Sequence, residues 1–178
     1  MNYCIYGSAR EDIDYKYKIA VSSLCHDLAE LGHTLVFGAG GTGVMGAAAR
    51  GATDGNGEII GVSPYFMEDF EPIYNKCSVS IKTDTMAERK SKIESISDVF
   101  IICPGGIGTL DEFFQIITLR QLNRTDKEII LYNVDGFYDK LIEFMQDCVN
   151  SGFITKDIDN LLKICKTKDE IIDIIKGI

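Results

Sequence analysis

An α/β architecture, a mostly parallel sheet held between two layers of helices as a three-layer sandwich, is the fold class this sequence predicts, and three observations predict it. Short apolar runs rich in β-branched residues alternate with stretches of helical periodicity. At 178 residues, 46% apolar and 25% charged, the chain suits one domain, residues 1–178, that closes its core without disulfides or metal. Glycine-rich segments fall where strands would hand over to helices, the place where such folds gather their sites.

Each element has its own justification. NYCIY (2–6) reads as the first strand, and Ala20, Leu24, Leu28 and Leu31 then recur at helical spacing, giving the next segment one apolar face. TLVFG (34–38) is a second strand, and EIIGVS (58–63) and CSVSI (77–81) are a third and fourth. In DTMAERKSKIESIS (84–97) the pair Thr85 and Glu88 forms a capping box that opens a helix, with Ile93 and Ile96 facing the sheet. DVFIIC (98–103) precedes a helix expected to begin at Thr109, with Phe113, Ile116, Ile117 and Leu122 turned inward. EIILYN (128–133) is a further strand, and KICKTKDEIIDII (163–175) reads as a last short strand followed by a helix opened by Thr167 and Glu170.

Composition excludes several functions. The six cysteines are scattered without a C-x-x-C pair and read as reduced packing residues. With two histidines and no Cys/His cluster, the chain offers no metal centre. A net charge of −9 argues against a nucleic-acid partner, because duplex binding draws its affinity from basic surface. No segment approaches the roughly 18 consecutive apolar residues of a membrane span, and MNYCIYGSAR enters a strand with no signal-like pattern, so the expected location is cytoplasmic, away from membranes.

Two glycine-rich loops are candidate sites. GAGGTGVMG (38–46) holds a formal G-x-G-x-x-G in Gly38, Gly40 and Gly43. A dinucleotide site would want an acid at the end of the next strand, and Ser63 and Pro64 stand there instead. No lysine completes a nucleotide triphosphatase loop. Close backbone approach to a ligand remains the better reason for these glycines. The second loop, CPGGIGTLDEF (103–113), has Gly105, Gly106 and Gly108 free to aim N–H groups at a phosphate on the following helix terminus. Glu112 there reads in two ways, as the glutamate of a capping box begun by Thr109 or as a catalytic carboxylate. Arg89 and Lys90 sit in a first helical turn, where the macrodipole disfavours cations. They are a solvated charge run with Glu88 and Lys92 paired, or Arg89 faces an anionic ligand.

Met86, Arg89 and Lys90 as M-x-x-R-K, with Pro104 to Glu112 as P-G-G-x-G-T-x-x-E, resemble the signature of the LONELY GUY family. GTGVMG, RQL and NVDGFYDKLIEFMQDCVNSGFI are similar to that family too, so the resemblance runs almost end to end. Its members are phosphoribohydrolases of cytokinin riboside and related nucleoside 5′-monophosphates, formerly mislabelled lysine decarboxylases. The resemblance implies a Rossmann-like sheet in a homodimer, a catalytic pair Arg89 and Glu112, and a 5′-phosphate held by Gly105, Gly106, Gly108 and Thr109. Gly40, Gly41, Met86 and Lys90 would be further substrate contacts. The implied reaction hydrolyses the N-glycosidic bond of a purine or cytokinin riboside monophosphate to free base and ribose 5-phosphate, with no metal or redox cofactor. Departures are Ala87 where many members have histidine, Gly38-Ala39-Gly40-Gly41 in place of a triple glycine, Leu119 for tryptophan and Asn123 for glycine; they bear on base preference. The alternatives are a non-catalytic nucleotide or molybdenum-cofactor carrier of the same fold, which would not need both Arg89 and Glu112, and a DNA-processing protein, which would need a basic face.

Overall fold

The fold is built by strands whose alternate residues are apolar on both sides. In β1 (Asn2–Tyr6), Tyr3 and Ile5 join one buried cluster while Cys4 and Tyr6 join another, and the same alternation recurs in β2 (Thr34–Phe37), β5 (Val99–Ile102) and β6 (Glu128–Tyr132). A strand buried on both faces needs helices on both, and its backbone then pairs best in a parallel sheet. The computed structural model, which describes residues 1–178, shows seven strands in the order β4-β3-β2-β1-β5-β6-β7, every pair parallel. The remaining strands are β3 (Ile59–Pro64), β4 (Val79–Thr83) and β7 (Lys163–Cys165).

Helices α1 (Tyr15–Glu30), α2 (Gly43–Asp54) and α7 (Lys168–Lys176) cover one face, through Val21, Leu24, Leu28, Ala48, Ala52, Ile171 and Ile175. Helices α3 (Met86–Ile96), α4 (Ile107–Gln121), α5 (Asp139–Asn150) and α6 (Ile158–Leu161) cover the other, through Ile93, Phe113, Ile116, Ile117, Met145 and Leu161. Each such fully buried aliphatic or aromatic side chain contributes about 1.5–3 kcal/mol by leaving water. No helix is long and apolar enough to cross a membrane, and all six cysteines are free thiols.

The capping box at Thr167 and Glu170 is present in full. At Thr85 half of the expected box forms: the threonine accepts from the Glu88 amide, while the Glu88 carboxylate accepts from Asp84 N–H. Two residues expected to face the core do not. Leu31 and Leu122 are 46% and 60% exposed because each is the residue on which its helix ends, where the chain turns away from the sheet.

The strand order reverses direction at β1. From β1 the chain crosses to the α1 side, and from β5 it crosses to the α4 side, so the two exit loops part and leave a crevice at the carboxyl ends of the strands.

Candidate active site

A cleft of about 300 Å³ opens at this switch point, at the low end of the ~300–1,000 Å³ range of small-molecule sites. Gly7 to Arg10 after β1, and Gly106 to Thr109 with Asp111 and Glu112 after β5, form its walls; Met45, Met67, Glu71, Met86 and Arg89 complete it.

Helix α4 begins two residues earlier than the sequence predicts. Its N-cap is Gly106, which supplies no side-chain cap, and Thr109 lies inside the first turn. The expected capping box of Thr109 and Glu112 therefore does not form. The reason is steric: a Cβ on Gly105 would lie 2.1 Å from the Thr109 hydroxyl, so the glycine lets the threonine pack back onto the loop and the helix start early. Leu110 is the first residue to find a helical acceptor, the Gly106 carbonyl at 2.9 Å. The N–H groups of Ile107, Gly108 and Thr109 precede it and have no acceptor within the helix. Gly106 and Gly108 face open space, with nothing within 4 Å of where a Cβ would stand.

Helix α2, behind the other glycine loop, is closed by the protein itself. Gly43 N–H donates to the Glu11 carboxylate at 2.9 Å, and Val44 and Met45 N–H donate to the Ser8 carbonyl at 2.7 and 3.1 Å. A dinucleotide phosphate would find those donors taken, whereas the start of α4 is open. Gly40 and Gly41, expected as substrate contacts, are not on the cleft wall. Gly40 bridges Ile73, and Gly41 N–H donates to the Pro72 carbonyl at 2.7 Å. The loop's glycines make room for side chains: a Cβ on Gly38 would lie 1.9 Å from the Arg89 guanidinium, and one on Gly40 would lie 2.6 Å from Cε of Met45. Between them Ala39 holds a left-handed φ of 66°, a conformation that costs a residue with a Cβ roughly 1–2 kcal/mol.

Arg89 and Glu112 come together across the cleft floor. Nη1 of Arg89 donates to Oε1 of Glu112 at 2.7 Å, and Nε donates to the Val62 carbonyl at 3.2 Å. Their side chains are only 8% and 9% exposed. Arg89 is thus no part of a solvated charge run. Burial pushes the Glu112 carboxyl above its ordinary range, while the Arg89 charge pulls the other way. Lys90, the next residue, turns outward to Asp111 at 3.0 Å, where it braces α3 against α4 and stays off the cleft wall. Met86 lines the cleft, and Gly105 stands behind it, under Thr109.

Sequence reasoning missed the β1 wall, Gly7 to Arg10, and the Met67–Glu71 turn. The signal for the first was available: GSAR directly follows the first strand, and the first strand of a doubly wound sheet sits at its switch point. Nothing in the local sequence marks Glu71.

Known proteins resemble the chain in sequence and in fold. The family profile described as "Possible lysine decarboxylase" matches residues 45–175. A protein of Oryza sativa subsp. japonica named cytokinin riboside 5′-monophosphate phosphoribohydrolase LOG is 34% identical over 169 residues, 95% of this chain and 70% of its own length. An Arabidopsis thaliana protein carrying the same enzyme name is 30% identical over 97% of this chain and 81% of its own. Among solved structures, the molybdenum cofactor carrier protein of Chlamydomonas reinhardtii superposes with a TM-score of 0.73 at 21% identity, covering 99% of this chain and 96% of that one, a likeness of fold. By the profile match and by identity along nearly its whole length, the chain belongs to the LONELY GUY (LOG) family, that of the cytokinin riboside 5′-monophosphate phosphoribohydrolases.

Proposed function

We propose that this protein hydrolyses the N-glycosidic bond of a purine or cytokinin riboside 5′-monophosphate, releasing free base and ribose 5-phosphate. The observation that carries the reading is the buried Arg89–Glu112 pair beside an uncapped helix start on one cleft.

The 5′-phosphate is seated on the amides of Ile107, Gly108 and Thr109, where the helix dipole and free donors favour an anion. Arg10, which lines the same cleft and makes no ion pair, adds a guanidinium at its mouth. Gly108 and Glu112 are four residues apart and share one helix face, about 6 Å apart along the axis. With the phosphate at the first, the ribose reaches the second. Positive charge develops at the anomeric carbon as the base departs, and a fixed carboxylate stabilises it and orients the attacking water. Arg89 holds Glu112 in place and favours its ionised form against the effect of burial. The chain works as a homodimer in this reading, and Phe114 on α4 and Leu122 at its end, both exposed, offer apolar surface for a second copy.

The test is product analysis on a panel of 5′-monophosphates beside the matching nucleosides. Free base and ribose 5-phosphate in equal amounts from the monophosphates, with far slower release from the nucleosides, is the expected result; tight binding without release would make the protein a carrier. Gly108→Ala meets no steric obstacle in the fold, yet its methyl stands where the phosphate would approach. Its expected effect is a KM raised on the order of 10-fold, the equivalent of ~1.4 kcal/mol, with an unchanged melting temperature.

A further inference from the structure

Three carboxylates line the cleft, and two of them are paired: Asp111 with Lys90, and Glu112 with Arg89. The third, Glu71, is partly buried and takes part in no ion pair or hydrogen bond through its side chain; burial and the field of Arg89 are what act on it. An unpaired carboxyl half-buried in a binding cleft, beside a buried arginine, marks a position worth a task.

The fold holds it there with some care. Glu71 N–H donates to the Met67 carbonyl at 3.0 Å, closing the turn after β3. The following residues are clamped to the first glycine loop by the Gly40–Ile73 bridge, by Gly41 N–H to the Pro72 carbonyl and by Tyr74 N–H to the Ala39 carbonyl at 2.8 Å. Gly40 has no side chain where Cε of Met45 and Oε1 of Glu71 would meet it, at 2.6 and 3.3 Å. The motif that looked like a ligand loop is therefore the mount for Glu71. Met45, Met67 and Met86 line the same cleft, and soft thioether walls suit a flat aromatic ring. Glu71 feels the field of Arg89, the partner of Glu112, so a nucleotide with its phosphate on the α4 amides and its ribose at Glu112 has the methionines and Glu71 as the remaining lining for its base.

We propose that Glu71 is the general acid that protonates the leaving base. This rests on the hydrolase reading above. As the C1′–N9 bond breaks, its electron pair passes to the purine, and the proton on the Glu71 carboxyl moves to ring nitrogen N7, so the base leaves neutral. Water, oriented by Glu112, forms the new C1′–O bond, and the proton it releases returns through solvent to the Glu71 carboxylate. Burial raises the Glu71 carboxyl above its ordinary range, with Arg89 opposing, which favours the protonated acid such a step requires. The other charged groups facing this space are Arg10, Arg89, Asp111 and Glu112.

The experiment compares two substrates in the parent and in Glu71→Gln: adenosine 5′-monophosphate, and p-nitrophenyl riboside 5′-phosphate, whose phenolate departs without a proton. The expected result is a kcat for the nucleotide lowered about 10²-fold or more in the variant, with the nitrophenyl substrate cleaved at close to the parent rate. The parent's rate on the nucleotide should fall as pH rises through the Glu71 pKa, and this limb should be missing in Glu71→Gln. Glu71→Asp should restore part of the nucleotide rate. Equal loss on both substrates, or no loss on either, in a variant with unchanged circular dichroism would overturn the proposal. A parent that cleaves neither substrate would overturn the hydrolase reading and this assignment with it, a pattern distinct from failure of Glu71 alone.

Discussion

Glu112→Gln is expected to cost about 3 kcal/mol of stability and to abolish turnover, while Arg89→Met, which breaks the same ion pair from its other end, is expected to cost less stability. The two side chains are 8% and 9% exposed, so neither charge is well screened by water when its partner goes. An arginine cannot lose its proton in a protein, so in Glu112→Gln a full positive charge stays buried on Arg89, with the Val62 carbonyl and the glutamine oxygen to hold it. A carboxyl has an escape. Burial already holds Glu112 above its ordinary range, and Arg89 is the first of the influences that pull it back; without the arginine it takes a proton and becomes neutral. The sign of the pH effect follows. A folded-state pKa raised above the unfolded value gives stability that is present at low pH and is lost as pH rises through the folded value. Relative to the parent, Arg89→Met should therefore recover stability as pH is lowered from neutral toward the ordinary glutamate range, and Glu112→Gln should not. Urea unfolding of both variants across that range measures the difference. A 3 kcal/mol loss in a chain of this size corresponds to a melting temperature lower by roughly 6–12 °C.

Gly38→Ala is expected to lower kcat/KM on the order of 10²-fold while costing only about 1 kcal/mol of stability. The added methyl would stand 1.9 Å from Nη2 of Arg89, and the arginine is the group that must give way, since the other partner is β2's exit backbone. Displacing the guanidinium unsettles the 2.7 Å contact to Glu112 and the bond to Val62 without opening a void in the core. Gly177→Ala is the matched control for an added methyl, because it stands at the end of α7, off the cleft wall, and its methyl meets only ordinary contacts at 3.4 Å and beyond. Unfolding curves nearly superposed with the parent, together with a collapsed rate for Gly38→Ala, would separate the loss of a positioned arginine from the loss of the fold.

What the sequence made legible, and what it did not, divides along a physical line. Strands buried on both faces and helices with one apolar stripe announce themselves by period, so six of the seven strands fall within a residue of their sequence reading; the fourth, read at 77–81, forms at Val79–Thr83, on the exposed sheet edge where the apolar pattern is weakest. Arg89 and Glu112 stood out because each sits in the first turns of a helix entered from a strand, beside a glycine loop or a capping threonine. The true start of α4 did not, because three glycines permit several ways into a helix, and the choice is made by the fit of Thr109 against Gly105, a tertiary contact. The first glycine loop was misread for the same reason. A glycine needed for a ligand and a glycine needed for Arg89 or Met45 look alike in one dimension. Glu71 and Arg10 belong to no motif, and only the strand order and the clamp on residues 72–74 bring them to the cleft.

If the Arg89–Glu112 pair is a chemical centre and not a scaffold for binding, removing its negative charge should end the reaction without ending binding. The measurement that tests it most directly is calorimetric titration of adenosine 5′-monophosphate into the parent and into Glu112→Gln at a temperature where both are folded, with free base assayed in the same samples. The parent should release base, and the variant should bind the nucleotide with comparable affinity through the open amides of α4 while releasing none. Base release by Glu112→Gln at the parent's rate, or tight binding by the parent with no release at all, would contradict it.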